Sequence, residues 1–553
     1  MNRIKFIAVF GIWLLGFNTL EACNMKFKIV YANACLSTII SITPDFFDKG
    51  MIEGSLDSVM VVSHAECVEF MDVISSLKET KVKEGERLPE IDVRAKVIVF
   101  LNDQFWDSYY WGMFYLYHNG KIYEVNKEFR DKVNLTVKKA GKPKVILGTD
   151  TRISGYMIRS ALTAGLNSMG VNIDFVGVLP TPGVCYLTRK LKADAGIMIS
   201  ASHNPVKDNG IKIFSQNGYK LPDAVEEKLE ELMGKKDELL EKHQVAGDDL
   251  GTFKYVEDDM KIYLDYLTST VKNTNFSKLR IVIDTANGAA YRVASKVFQN
   301  LGADVIVINN IPNGKNINVN CGSTHPELLQ EVVKVYKADL GLAYDGDADR
   351  LIAVDNTGAI INGDLIIAII AEYMQSRGLL NDNKVVTTVL SNMGFEKYLD
   401  EKGIGLIRAN VGDRYVLEKM KEYGLNIGGE QSGHILMLDY NTTGDGVLSS
   451  IQLVAAILES GKTLHELVKD IKLWPQDSKN ITVAKEKKAT WETNKELIDF
   501  IKAKEKEIAG KGRILVRASG TESLIRVMVE AESQEIVDKY VAELSKKVEE
   551  TLC

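Results

Sequence analysis

Lys144-Val-Ile-Leu-Gly-Thr-Asp-Thr-Arg-Ile-Ser-Gly155, with residues 156–169 and Asn172-Ile-Asp-Phe-Val176 behind it, decides the fold. The apolar run 144–147 reads as a buried strand, 148–155 as a loop, 156–169 as a helix by its apolar spacing, and 172–176 as the next strand. Strand, helix and strand in that order imply a largely parallel sheet flanked by helices. The same texture returns twice. Leu279-Arg-Ile-Val-Ile283, a loop at Asn287-Gly-Ala289, a helix over 289–301 and Asp304-Val-Ile-Val-Ile308 form the second copy. Lys384-Val-Val-Thr-Thr-Val389, a loop and helix over 391–401, and Gly405-Leu-Ile-Arg408 form the third. The expected fold class is therefore α/β, with three similar mixed-sheet domains at 141–253, 254–356 and 357–475. The tail differs. A charged helix over 494–506, strands at 513–516 and 524–530, and a closing helix over 535–549 predict a small α+β domain at 476–553. Segments 239–255 and 479–488 read as polar or charged connectors.

A chain of 553 residues, 45% hydrophobic and 26% charged, can bury several cores, which excludes wholesale disorder. A net charge of -7 over that length argues against nucleic acid as the main partner, since a polyanion needs a basic face. The cysteines at 23, 35, 67, 185, 321 and 553 match neither a metal site nor a dense disulfide framework. The N-terminus carries a different signal. Arg3 and Lys5 precede an apolar run over 6–17, and Ala22-Cys23 follows. Residues 1–22 thus resemble a secretory leader with a lipoprotein-like ending, too short to span a bilayer comfortably. Residues 24–137 read as a separate small α+β module. Its strands are expected at 97–101, 109–117 and 121–125, with a hairpin turn at His118-Asn-Gly120. No catalytic constellation lies in it. It is expected to fold independently, joined by a connector over 138–143, without completing the sheet that follows.

Four constellations carry chemistry. In Ile197-Met-Ile-Ser-Ala-Ser202-His203-Asn204-Pro205-Val-Lys-Asp208-Asn209-Gly210-Ile-Lys212, an apolar strand ends in small polar residues. Pro205 stops it, and Asn209-Gly210 forces a tight turn. A serine there lies at the mouth of a parallel sheet, where α/β proteins place their sites; in isolation it also reads as a helix cap. Asp345-Gly346-Asp347-Ala348-Asp349-Arg350 follows the apolar strand 340–344. Three carboxylates so close need a cation or strongly perturbed pKa values, and hard oxygen ligands suit magnesium. Arg350 would hold a phosphate or neutralise the cluster. Gly428-Gly429-Glu430-Gln431-Ser432-Gly433-His434 sets hydrogen-bonding groups on a glycine-rich loop, as sugar hydroxyls require. Arg517-Ala-Ser519-Gly520-Thr521-Glu522, with Arg526 beyond it, has the make-up of a phosphate cradle.

Together these loops, over residues 141–553, closely resemble the α-D-phosphohexomutase superfamily in its bacterial phosphoglucosamine branch. The glutamine in the 428–434 loop and the stretch 163–187 look like that branch rather than the glucose or mannose one. The resemblance implies that Ser202 carries a transferable phosphate. It implies that Asp345, Asp347 and Asp349 bind Mg2+, with the phosphoserine completing the site. It places His203 and Lys212 near the reacting hydroxyl, Arg152 on a further active-site loop, and Glu430, Ser432 and His434 on the sugar. Arg517, Ser519, Gly520, Thr521 and Arg526 fall to the phosphate-binding loop. The implied partner is a small phosphosugar, with a bisphosphorylated hexosamine or hexose as intermediate and as activator of the serine.

One departure stands out. The superfamily's usual opening stretch, Phe-Gly-Thr-Asp-Gly-Ile-Arg-Gly, has no counterpart before residue 141. The resemblance then implies a first domain truncated by its first strand and active-site loop. The readings carried forward are interconversion of glucosamine 6-phosphate and glucosamine 1-phosphate, a glucose or mannose phosphomutase, and an inactive sugar-phosphate-binding or structural fusion. The expected location is the cytoplasm, with export or anchoring through residues 1–22 and Cys23 as the alternative. The sequence does not specify an oligomeric state.

Overall fold

The computed structural model describes seven strands between residues 25 and 124, and residues 142–234, 243–271, 274–519 and 523–553. The leader-like segment 1–22 and the connector 138–141 lie outside the described residues. Strands β1 (Met25–Ala32), β2 (Leu56–Val61), β3 (Lys78–Glu79), β4 (Val93–Leu101), β5 (Gln104–Gly112), β6 (Tyr115–His118) and β7 (Lys121–Glu124) form one antiparallel sheet, ordered β2-β1-β4-β5-β6-β7-β3. The expected hairpin is there: β6 pairs with β7, and His118 faces Lys121. The aromatic run expected as one extended stretch over 109–117 divides between β5 and β6.

Three α/β units follow on one plan. In the first, β8 (Lys144–Thr149) is flanked by β9 (Asn172–Val178) and β10 (Ala195–Ile199), both parallel to it, and β11 (Ile211–Ser215) returns antiparallel to β10. A fifth strand, β12 (Phe253–Tyr255), pairs with β9 at the far edge. The second unit repeats this with β13 (Arg280–Asp284), β14 (Asp304–Ile308), β15 (Leu340–Tyr344) and β16 (Leu351–Asp355), extended by the short β17 (Ile360–Ile361). The third uses β18 (Lys384–Thr388), β19 (Gly405–Ala409), β20 (Ile427–Gly429) and β21 (Ile435–Met437). The small last unit holds β22 (Gln476–Thr482), β24 (Leu524–Ala531) and, between them in the chain, β23 (Gly512–Ala518). Helices Lys495–Ile508 and Gln534–Leu552 accompany this sheet.

Composition explains the layering. All five residues of β15 and of β16 are buried, as strands covered on both faces and apolar up to Asp355 should be. Helices Gly363–Ser376 and Gly446–Ser460 are apolar almost all round, and they pack against each other in the interior. Each starts on a side-chain cap: Asn362 accepts from Leu365 N at 3.2 Å and Asp445 from Leu448 N at 3.0 Å. Buried apolar residues run without a break from Ile146 through Ile283 to Ile451, so the three α/β units share one core. The last unit closes around its own, from Ile481 to Leu552.

Two expected connectors are corrected. Segment 239–255 ends in β12, and 479–488 contains most of β22 and the helix Lys485–Thr490. Both strands are short or solvent-facing; β22 has one buried residue, Ile481, which leaves little apolar alternation to read. Among the described residues, no helix is long and apolar enough to cross a membrane.

Candidate active site

The shared plan places three of the four constellations at one topological position. The loop between the third strand and its antiparallel return is 200–210 in the first unit, 345–350 in the second and 430–434 in the third. Each leaves the carboxyl end of a parallel strand, and the units' common core brings the three loops together.

Ser202 sits in the left-handed region, at φ 51°. Non-glycine residues rarely adopt this conformation, and holding it costs on the order of 1–3 kcal/mol. A buried scaffold offsets that cost. Ser202 N donates to Ser200 Oγ at 3.0 Å, and Ser200 Oγ donates to Asp150 Oδ2 at 2.6 Å. Ser202 Oγ points across the unit boundary and donates to Asp345 Oδ2 at 2.5 Å.

Arg152, expected on a further active-site loop, is turned away from the cleft. It is 1% exposed. Nε donates to Asp150 Oδ2 (2.9 Å), Nη1 to Pro205 O (2.5 Å) and Asp208 O (3.0 Å), and Nη2 to Ser202 O (2.9 Å) and Asn204 O (2.8 Å). All five N–H groups are used, so none remains for a phosphate. Arg152 clamps the serine loop from beneath; it does not enter the cleft.

The acidic loop is buried, with Asp345, Asp347 and Asp349 at 1%, 0% and 4% exposure. Lys212, on β11, reaches Asp347 Oδ2 at 2.6 Å and Asp349 Oδ2 at 3.3 Å. Thr181 Oγ1 also donates to Asp347 Oδ2 at 2.5 Å, and Thr181 N to Asp347 O at 3.0 Å. Burial raises the Asp345 carboxyl well above its ordinary range, with Asp349 and Asp347 adding to it. Burial acts the same way on Asp349, but Lys212 and His434 outweigh it and hold that carboxyl well below its usual range. Asp347 Oδ1 and Asp349 Oδ1 are buried and accept no hydrogen bond from any of the described residues. Two orphaned carboxylate oxygens, in a cluster whose ligand atoms lie within 4.8 Å of one another, fit a hard divalent cation. Gly346 belongs to the design: a Cβ there would come 2.5 Å from Ser202 O. The backbone N–H of Arg350 donates to Asp345 Oδ1 at 3.2 Å, while its buried Nε makes no hydrogen bond among the described residues.

In the third loop, Glu430 Oε1 accepts from Gly412 N at 3.0 Å, and Glu430 Oε2 accepts from the exposed Ser432 hydroxyl at 3.2 Å. His434 was expected on the sugar, but it is 3% exposed and wedged behind the loop. Its Nε2 accepts from Gly444 N at 3.2 Å and lies 3.4 Å from Asp413 Oδ2; Nδ1 stands 3.6 Å from Asp349 Oδ1. It joins the 430–434 loop to the acidic loop instead. Asp413 in turn pairs with Lys220 of the first unit. His203 is exposed, and its ring makes no hydrogen bond among the described residues.

Arg517 and Arg526 face each other across β23 and β24. Partial burial and the facing Arg526 both lower the Arg517 pKa. Like charges directly opposite are unfavourable unless an anion joins them. Ser519 is buried beside them, while Gly520 and Thr521 lie outside the described residues. Sequence reasoning missed Thr181, Asp413, Lys220 and Asn318. The only local signal for Thr181 was its place after Pro180 at a helix start.

Three α/β units on one plan, with a serine, a carboxylate cluster and a hydrogen-bonding loop at equivalent hairpins, define a multidomain phosphoryl-transfer enzyme. The phosphoglucomutase/phosphomannomutase family describes four domains, and all four match: α/β/α domain I at 124–240, II at 261–358, III at 362–473 and the C-terminal domain at 479–547. A phosphoglucosamine mutase of Fusobacterium nucleatum is 59% identical over 411 residues, 74% of this chain and 90% of that protein. One from Clostridium tetani is 47% identical over 433 residues, 77% of this chain and 96% of that protein. Among solved structures, a phosphoglucomutase/phosphomannomutase family protein from Burkholderia thailandensis matches with a TM-score of 0.61 at 24% identity, over 75% of this chain and 92% of that one. An Aspergillus fumigatus N-acetylphosphoglucosamine mutase, solved with GlcNAc-6P and magnesium, matches at 0.55 and 19%, over 71% and 94%. The chain belongs to the phosphoglucomutase/phosphomannomutase family, and its chemistry is phosphoryl transfer of the phosphohexomutase type.

Proposed function

We propose that this enzyme interconverts glucosamine 6-phosphate and glucosamine 1-phosphate through phospho-Ser202. The observation that carries the proposal is Ser202 Oγ held 2.5 Å from Asp345 at the rim of a carboxylate cluster with two orphaned oxygens. The amino-sugar choice is supported by the 46–59% identity to phosphoglucosamine mutases.

The reaction runs in two halves. A hydroxyl of the sugar monophosphate attacks phosphorus; the bond from phosphorus to Ser202 Oγ breaks, and the sugar becomes bisphosphorylated. After the intermediate turns over in the cleft, its other phosphate returns to Ser202 Oγ. The same bisphosphorylated hexosamine or hexose, supplied from outside, recharges an unphosphorylated serine. Asp345, Asp347 and Asp349 would hold Mg2+, which supplies charge neutralisation for the transferring oxygens. Lys212, anchored on Asp347 and Asp349, holds a positive charge beside them. Of the two candidates for moving protons, Lys212 is an ammonium paired with Asp347 and Asp349 and can only give one up, which leaves His203 to accept the proton of the attacking hydroxyl. Glu430 and Ser432 orient sugar hydroxyls. Arg517 and Arg526, with Ser519, Gly520 and Thr521, grip the phosphate that is not being transferred, and Arg350 assists at the transferring end.

Residues 24–137 are read as a separate module, because among the described residues β1–β7 pair only with one another. The phosphosugar chemistry supports a cytoplasmic location; a lipid-modified Cys23 in a membrane fraction would overturn it. Turnover on glucosamine, glucose and mannose phosphates tests the substrate. Glucosamine phosphate is expected to give the highest kcat/KM. A preference for glucose or mannose phosphate would replace the substrate, and absence of turnover on all three would favour the inactive fusion.

A further inference from the structure

We infer that Asn318, from the second unit, is a positioning residue that fixes the Ser202 peptide from across the unit boundary. This rests on the reading of Ser202 as the phosphate carrier. Asn318 Nδ2 donates to Ser202 O at 2.9 Å and to Asn204 O at 3.3 Å. Arg152 Nη2 grips the same two carbonyls from the first unit. Each carbonyl therefore has both lone pairs engaged, one by a guanidinium below and one by an amide opposite. The bonds act where control matters, at a left-handed serine whose peptide plane sets the direction of Oγ toward Asp345.

Asn318 is built for the task. Its own φ is 58°, a conformation asparagine tolerates better than most residues. Asn318 N donates to Ala286 O at 3.0 Å, which fixes the loop that presents the amide. A Cβ on Gly346 would meet Ser202 O at 2.5 Å and Asn318 Nδ2 at 2.8 Å, so acidic loop, serine loop and amide pack as one contact. Among the described residues, the side-chain amide bonds only to the carbonyls of Ser202 and Asn204. Its loss is therefore felt in the transfer step and not in substrate capture.

Two substitutions separate positioning from folding. Asn318→Gly keeps the positive φ and deletes the amide. Asn318→Asp keeps the size and turns two acceptor oxygens toward two carbonyls. Asn318→Gly should lower kcat about 10-fold and Asn318→Asp on the order of 10²-fold, the scale of a roughly 1 Å misplacement. KM for the sugar phosphate should stay within about twofold. Phosphate on Ser202 is measured in parallel by peptide mass spectrometry of the full chain. If the unsubstituted chain carries none even after incubation with magnesium and a bisphosphorylated hexose, the Ser202 reading and this inference fall together. If it is phosphorylated and both variants turn over within twofold of it, or lose kcat and gain KM in equal measure, this inference alone is overturned.

Discussion

The three α/β units share one hydrophobic core, while the last unit folds around its own. Their polar junctions differ in the same way. Between the first and second units, Ser202, Thr181, Lys212 and Asn318 all bond across the boundary, most of them to the acidic loop. The last unit is fastened by a tighter knot. Arg513 bonds Glu530 through Nε (2.7 Å) and Nη2 (2.6 Å), Arg513 Nη2 donates to Ser391 O at 2.5 Å, and Met393 N donates to Glu530 Oε1 at 2.8 Å. The difference divides labour. The half that carries Ser202 and the acidic loop is fixed by shared packing, whereas the last unit is an independently cored body whose Arg513–Glu530 pair reaches Ser391 and Met393 of the third unit.

Cutting that fastening is the strongest way to sharpen the comparison. Arg513→Met leaves Glu530, whose side chain is fully buried, without its cation, at a cost of about 3–5 kcal/mol. Scanning calorimetry should then show the last unit melting ahead of the other three; one unchanged transition would contradict the separate-body view. Within the fixed half, Asp347→Asn should lower kcat about 10²–10³-fold and weaken magnesium binding in a calorimetric titration, leaving sugar affinity nearly unchanged. Arg517→Ala is the mirror image and the smallest effect. KM for the sugar phosphate should rise about 10-fold or somewhat more, with little change in magnesium affinity. Similar kcat and KM effects from both substitutions would dissolve the division of labour.

Much of this was legible in sequence wherever chemistry was concentrated in consecutive residues. The acidic loop announced itself because three carboxylates behind a buried strand need an explanation. The repeat of the α/β texture was visible because its strands are continuous apolar runs. Roles set by distant partners were not visible. His434 looked like a sugar ligand because its neighbours Glu430 and Ser432 are polar. Its partners Asp349 and Asp413 come from another unit and another helix, and they turn it inward. Arg152 showed only a guanidinium in a loop, whereas five acceptors close around it once β8 and β10 are paired. Asn318 lies in no motif, and only the meeting of two units gives its amide a purpose. Edge strands β12 and β22 escaped because β12 is three residues long and β22 buries only Ile481, which leaves too little apolar alternation to mark a strand.

The central claim is that Ser202 carries the transferable phosphate. Incubating the full chain and its Ser202→Ala variant with magnesium and a bisphosphorylated hexose labelled in phosphorus tests it most directly, with the labelled peptide read by mass spectrometry. The expected result is stoichiometric label on the peptide containing Ser202 and none in the variant. Equal labelling of the variant, or label on a different residue of the unsubstituted chain, would contradict it.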